Sequence, residues 1–230
     1  MSALAFPAPA LPCLPVLGSQ AGFPVHRIYC VGRNFADHAR EMGAPVERGT
    51  PTIFMKPADA AWLAADVPYP PGTADLHHEV EMVLALGRDA GGPIRREEAL
   101  EFVYAHGVGL DLTRRDLQAV AKEKRLPWDV AKGFDASAPV SPLRPVAGHG
   151  HPGPDTVLSL EVNGELRQRS TLGEMLFGVE DILVHLSGLF RLRAGDLVFM
   201  GTPAGVAALQ RGDRFHARLE GVAELAGRIV

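Results

Sequence analysis

Hydrophobic residues in this chain fall mostly into short runs bounded by glycine, proline and polar residues, the pattern of strands rather than long helices. Such runs are Arg27–Gly32 (RIYCVG), Pro51–Lys56 (PTIFMK), Leu76–Gly87 (LHHEVEMVLALG), Phe102–Leu110 (FVYAHGVGL), Asp196–Gly201, Asp213–Leu219 and Val222–Val230. From Val157, LSLEV and ELRQRS flank Asn163-Gly164, and an Asn-Gly pair between two strand-like runs predicts a tight hairpin. Helical signals are fewer. Asn34 is an expected N-cap for a two-turn helix over Phe35–Met42, which Gly43 would close, and Ile94–Ala99 reads as a short helical piece. Thr113 is expected to cap a helix from Arg114 to about Lys124, with Asp116 at the capping-box position. Between Leu172 and Phe190, Met175, Val179, Ile182, Leu183, Leu186 and Leu189 repeat at helical intervals and predict at least one helix.

A chain of 230 residues is long enough for one large domain with a sizeable core. Its 25 glycines and 19 prolines add many turns, so the expected class is α+β and β-rich, with short helices. Residues 1–24, broken by Pro7, Pro9, Pro12 and Pro15, are expected to form an extended arm along the surface of a single domain at 25–230. Those prolines, with no Lys or Arg before Arg27, argue against a signal peptide, and no other apolar run approaches membrane length. A net charge of −4 argues against a general nucleic-acid partner. Cys13 and Cys30 form neither a disulfide framework nor a zinc-ribbon spacing, so the cytoplasm is the expected compartment.

The candidate chemistry centres on Glu79 and Glu81, set into the Leu76–Gly87 run. Side chains two apart on a strand share a face, and two close carboxylates in a buried place require a proton or a cation between them. The alternative is an edge strand with both acids in water. Asp111, at the carboxyl end of the Phe102–Leu110 run and just before a helix, is a candidate third oxygen ligand. Three such oxygens suit Mg²⁺ or Mn²⁺, while His77 and His78 beside Glu79 leave a zinc reading open. His38 and Glu41, three apart on one short helix, have the spacing of a carboxylate-supported general base, or of an exposed ion pair. Lys132 lies in an otherwise apolar stretch, WDVAKGF, and reads as a surface lysine or as a stabiliser of an oxyanion near a metal. Thr202-Pro203-Ala204-Gly205 is a tight loop able to offer a hydroxyl and backbone N–H groups to an anion.

In their order along the chain, YCVGRNFADHAREMG (29–43), KPADA (56–60), LHHEVEMVLALG (76–87), GLDLTRRDLQ (109–118), LPWDVAKGFDASAPVSP (126–142), VNGELRQ (162–168) and GDLVFMGTPAGV (195–206) resemble the fumarylacetoacetate hydrolase family. The likeness is to its small acylpyruvase and fumarylpyruvate hydrolase members and covers most of residues 24–230. It implies a mixed β-sandwich roll with short flanking helices, commonly dimeric. It also implies that Glu79, Glu81 and Asp111 hold Mg²⁺, that His38 and Glu41 activate water, and that Lys132 stabilises the oxyanion. Arg33, Arg115, Gln118 and Thr202 resemble residues lining the substrate site, and the short helix carrying the dyad resembles a lid.

The reaction implied is metal-dependent hydrolysis of a carbon–carbon bond in a β-diketo acid, an acylpyruvate. The FPVHRIYCVGRNFADHAREMG and TRRDLQ segments are most similar to members acting on fumarylpyruvate in gentisate-type aromatic degradation, with Arg33, Arg114 or Arg115 pairing a distal carboxylate. Acetylpyruvate hydrolysis, oxaloacetate decarboxylation and oxo-acid tautomerisation on the same metal remain open within the family. A ligand-binding protein that has kept the scaffold without turnover is the alternative of another class.

Overall fold

The computed structural model describes residues 4–8, 10–41 and 49–230. Two sheets face each other. The first has six strands in the order Arg144–Pro145, Val103–Leu110, Val80–Leu86, Asp196–Phe199, Arg27–Gly32 and Thr52–Lys56, antiparallel except where Asp196–Phe199 runs parallel to Arg27–Gly32. The second has five, in the order Glu165–Thr171, Val157–Val162, Arg214–Leu219, Ala223–Ile229 and Asp66–Val67. This is the β-rich mixed sandwich expected, and the Arg27–Gly32 strand has the predicted bounds.

Alternation along Val80–Leu86 explains how the layers are joined. Val80, Met82, Leu84 and Leu86 enter the core between the sheets, where Leu158, Leu160, Val162, Phe215, Ala217 and Leu219 meet them. Val83 and Ala85 point the other way, into a second core with Ile28, Cys30, Leu197 and Phe199. With both faces covered, a strand reads as a nearly continuous apolar run, as this one does. The second core is roofed partly by the N-terminal segment. Where an extended surface arm is expected, Cys13–Pro15 pairs antiparallel with Gly22–Pro24, and Leu14, Val16, Phe23 and Val25 are buried. The prolines there leave alternate apolar side chains to fill the sheet's open face. Cys13 is exposed and Cys30 buried, both free.

Asn163 (φ 54) and Gly164 (φ 80) make the two-residue turn predicted, because both central positions of that turn type need positive φ. Four α-helices are described: α1 (Ala36–Glu41), α2 (Arg115–Glu123), α3 (Asp129–Lys132) and α4 (Val179–Leu189). Ile94–Ala99 becomes a 3₁₀ segment over Arg96–Phe102, and only the second half of the 172–190 stretch forms α4. The expected caps at α1 and α2 differ. Asn34 spends its side chain on distant backbone, accepting from Phe177 N–H at 2.8 Å and donating to Phe177 O at 3.0 Å and Met200 O at 2.7 Å. Thr113 lies in a short strand paired with His77, and its hydroxyl donates to Asp111 O at 3.2 Å. Asp116 caps its own helix through Leu117 N–H and binds Thr73 and Ala74 of the preceding loop. Met42 and Gly43 lie outside the described residues. Among the described residues no helix is long and apolar enough to cross a membrane.

His106 sits in the Val103–Leu110 strand with Nε2 3.0 Å from His151 Nδ1. Burial, and then the charge of His151, push its pKa down to about 4. The folded state therefore keeps the ring neutral where an unfolded histidine, near 6.5, takes a proton. Stability from this position is intact above about pH 6.5, falls as pH drops, and stops falling below about 4. The prediction is that His106→Leu removes about 3 kcal/mol of the stability lost between pH 7 and 4, read by urea unfolding at each pH. A variant with the wild-type pH slope would contradict this account.

Candidate metal centre and active site

The sandwich brings the sequence-distant acids together at the end of its central strands. Val80 pairs with Leu110, so Glu79 and Asp111 emerge side by side, joined by a hydrogen bond from Asp111 N–H to Glu79 O at 2.8 Å. Glu81 is two residues along the interior Val80–Leu86 strand, which rules out the wet-edge alternative. One oxygen from each of Glu79, Glu81 and Asp111 lies within 4.8 Å of the others, and all three residues are buried.

Three cations surround them. Lys132, on the single turn of α3, donates from Nζ to Glu79 Oε2 at 2.8 Å and to Asp111 Oδ2 at 2.6 Å. Its Nζ stands 5.0 Å from the centre of the Phe54 ring, and the residue is only 2% exposed, so the surface-lysine reading fails. Arg115, at the start of α2, donates to Glu79 Oε1 at 2.6 Å and to Gln118 Oε1 at 2.6 Å. Lys56 stands 2.8 Å from Asp111 Oδ1 and also donates to the carbonyls of Leu112 and Lys132. Burial raises the Glu79 pKa, but Lys132, Arg115 and His38 outweigh it and hold the carboxyl well below the usual range. Glu81 is pushed the other way, by burial and then by repulsion from Asp111 and Glu79, with the charge of Lys132 and the Gly201 N–H at 2.6 Å as partial offsets. Burial works against the charge on Lys132, yet Asp111 and Glu79 raise its pKa.

The donor set fits a hard divalent cation. It is all carboxylate oxygen, and one carboxyl, Glu81, is held back from ionising by burial and then by its acidic neighbours, so positive charge at the centre relieves a repulsion already present. The zinc alternative finds no support. His77 Nε2 is 2.9 Å from Asp75, and His78 Nδ1 is 2.9 Å from Gln168, so each is engaged away from the acids. Among the described residues Glu79, Glu81 and Asp111 are the one such cluster.

Above this centre lies α1. His38 Nδ1 is 3.2 Å from Glu41 Oε2, and His38 is buried against the same pocket as the acids, so the exposed ion-pair reading fails for the imidazole. Glu41 in turn accepts the Gly205 N–H, at 3.1 and 3.2 Å from its two oxygens. Gly205 adopts φ +98, and a Cβ there would meet Arg167 O at 2.1 Å, so only glycine presents that N–H. Thr202 lines the pocket, its hydroxyl accepting from Gln168 Nε2 at 2.8 Å. Arg33, with φ 59, and Gln118 also line it. Arg114 does not: it donates to Val130 O and lies over Phe134, so it is removed from the candidates for a distal carboxylate.

Sequence reading singled out Lys132 but passed over Lys56, Gln168 and Lys122. Lys56 had a signal, a lysine closing an apolar strand before a proline; Gln168 sits in an ordinary hairpin strand. Gln168 accepts from Val80 N–H at 3.1 Å and donates to Thr202 and to Pro203 O, tying the acid-bearing strand to the Thr202–Gly205 loop.

Comparison with known proteins agrees with this geometry. The family model described as fumarylacetoacetate (FAA) hydrolase C-terminal matches residues 27–230. A fumarylpyruvate hydrolase from Pseudomonas aeruginosa, solved in complex with Mn²⁺ and pyruvate, superposes with a TM-score of 0.95 over 99% of both chains at 46% identity. The fumarylpyruvate hydrolase of Ralstonia sp is 37% identical over 80% of this chain and 96% of its own. The oxaloacetate tautomerase YcgM of Escherichia coli (strain K12) is 38% identical over 89% of this chain and 93% of its own.

Separate roles for acids and dyad make a testable pair. In Mn²⁺ titration calorimetry, Glu81→Ala is expected to weaken binding by about 100-fold or more, and His38→Ala by less than about threefold. Equal weakening in both would mean that the imidazole, too, holds the ion.

Proposed function

The chain belongs to the fumarylacetoacetate hydrolase family, and on that premise we propose that it hydrolyses a carbon–carbon bond in an acylpyruvate, with fumarylpyruvate as substrate and fumarate and pyruvate as products. The observation that carries this reading is the seating of the His38–Glu41 pair on the same buried pocket as Glu79, Glu81, Asp111 and Lys132. A general base next to a cation site is what attack by water on a 2,4-dioxo acid requires.

Glu79, Glu81 and Asp111 would hold Mg²⁺ or Mn²⁺. Such a cation supplies Lewis acidity toward the oxygens of a 2-oxo acid and so stabilises the negative charge that bond cleavage leaves on the pyruvate half. His38 takes a proton from water, and Glu41, bonded to its Nδ1, fixes the ring and supports the imidazolium. The water oxygen bonds to the acyl carbonyl carbon, and the carbonyl electrons move to oxygen. Lys132 has three N–H groups, two of them committed to Glu79 and Asp111, and the third is available to the oxyanion. Collapse of the tetrahedral carbon breaks its bond to C3 of the pyruvate half, and C3 recovers the proton held on His38. One water is consumed, and an acyl carboxylic acid and pyruvate leave. In this scheme Arg115, Gln118 and Thr202 orient the substrate around the acids, and α1 serves as the lid.

A second reading has its own support in the E. coli oxaloacetate tautomerase. Tautomerisation needs a proton moved between C3 and the 2-oxo oxygen but no attacking water, so the inner groups would serve while the dyad's water activation goes unused. Purified protein with Mg²⁺ separates these and the non-catalytic alternative when offered fumarylpyruvate, acetylpyruvate and oxaloacetate with product identification. We expect pyruvate plus fumarate from the first, and a drop in kcat of about 10²- to 10⁴-fold in His38→Ala. Oxaloacetate enol–keto exchange without any acylpyruvate cleavage would install the tautomerase instead, and saturable ligand binding without turnover the scaffold protein.

A further inference from the structure

We propose that Lys122 and Arg33 form a subsite for a second carboxylate at the outer end of the pocket, selecting acylpyruvates whose acyl group itself ends in a carboxylate. The inference rests on the hydrolase reading above and names the residues that read the acyl group.

Arg115, Gln118 and Lys122 stand at i, i+3 and i+7 of α2, along one face, and all three line the pocket. Arg115, in the first turn, is bound to Glu79 and marks the metal end of the row. Lys122 lies seven residues on, a rise of about 10 Å along the helix axis. A ligand gripped near Glu79 and extending along this face therefore passes Gln118 and arrives at Lys122.

Charge pairing divides the pocket's cations into two groups. Lys132, Lys56 and Arg115 each have a carboxylate oxygen within 2.8 Å. Lys122 and Arg33 line the same pocket, and among the described residues neither has an acidic or hydrogen-bonding partner. Lys122 is half-buried, with Nζ 5.5 Å from the centre of the Trp128 ring. Its surroundings are too positive: burial, then the charges of Arg115 and Arg33, lower its pKa to about 8, with Glu79 a smaller opposing influence. A half-desolvated ammonium beside two guanidinium groups gains a charge-assisted hydrogen bond and loses a repulsion when a carboxylate docks there. A methyl group in the same place leaves both cations unpaired.

The test measures kcat and KM with Mg²⁺ on fumarylpyruvate and on acetylpyruvate for wild type, Lys122→Met and Lys122→Arg. Lys122→Met is expected to lower the ratio of kcat/KM for fumarylpyruvate over acetylpyruvate by at least about tenfold, through KM, and Lys122→Arg to retain it within about threefold. An unchanged ratio, or equal loss on both substrates, overturns the subsite. Should Lys122→Met fail to give a cooperative melt, Lys122→Gln takes its place under the same criteria. If wild-type protein cleaves neither acylpyruvate, the hydrolase reading has failed by itself. The subsite is then judged by calorimetry on the Mg²⁺-loaded protein with fumarate and pyruvate. Fumarate binding weakened about tenfold more than pyruvate binding supports it, and equal weakening or none overturns it.

Discussion

Three carboxylates buried within reach of one another cannot stand without positive charge, and most of what surrounds Glu79, Glu81 and Asp111 answers that demand. Lys132, Arg115 and Lys56 come from α3, α2 and the edge strand Thr52–Lys56, three elements with no reason to converge except the acids between them. Formal charges cancel, three against three, yet the cancellation is uneven. The cations crowd Glu79 and Asp111, while Glu81, bonded to the Gly201 N–H and influenced by Lys132 only at a distance, keeps its proton more tightly through burial and the repulsion of the other two acids. A dication entering here would favour the charged form of Glu81, which burial and the neighbouring acids oppose. It also brings surplus positive charge, which an anionic 2-oxo acid neutralises. The same electrostatics that makes the centre receptive to a metal makes the loaded centre receptive to the substrate class.

The backbone around the acids is arranged so that small loops report to the centre. Gly201 presents its N–H to Glu81 from φ +92, where a Cβ would meet Asn34 Cβ at 2.6 Å and Val31 O at 3.0 Å. Asn34 meanwhile clamps Met200 O and both backbone groups of Phe177, so the root of α1 is pinned to the strand end that leads into Gly201. Four residues further, Gly205 holds Glu41. One stretch, Met200–Gly205, thus steadies Glu81 of the acidic cluster at one end and Glu41 of α1 at the other. A six-residue helix is too short to be stable alone, so these outside contacts decide where His38 sits.

Much of this was legible in the chain, and the divisions have physical reasons. The Asn163-Gly164 turn and the strand runs could be read because turn dihedrals and strand periodicity are local. Glu79, Glu81 and Asp111 could be singled out because charges inside apolar runs are costly and need a cause. The cap assigned to Asn34 was misread because a side chain that suits a helix start suits a distant buried backbone group equally, and that assigned to Thr113 because the residue lies in a short strand and its hydroxyl turns back to Asp111 O two residues before it. Lys56 and Gln168 stayed hidden for another reason, that their partners lie 30 or more residues away, and Lys122 because among the described residues it has no acidic partner to mark it. The N-terminal segment was expected to run along the surface, but that its alternate side chains Leu14 and Val16 roof the second core depends on a sheet face assembled from distant strands.

Relatives named for hydrolysis and for tautomerisation share this chain's sequence to nearly the same degree, which bears on where the two chemistries part. Both require a centre that gathers negative charge on a 2-oxo acid, and in the proposed scheme that centre is the paired, desolvated inner cluster. Its members are mutually dependent: removing one leaves a partner buried and unpaired, at a cost of several kcal/mol. Selectivity therefore has little room to vary inside. The outer half of the pocket is different, because among the described residues Lys122 and Arg33 form no ion pair, so exchanging them breaks none there. On this view the inner acids and lysines define what the site does to a 2-oxo acid, and the unpaired outer cations define which acid stays long enough to react.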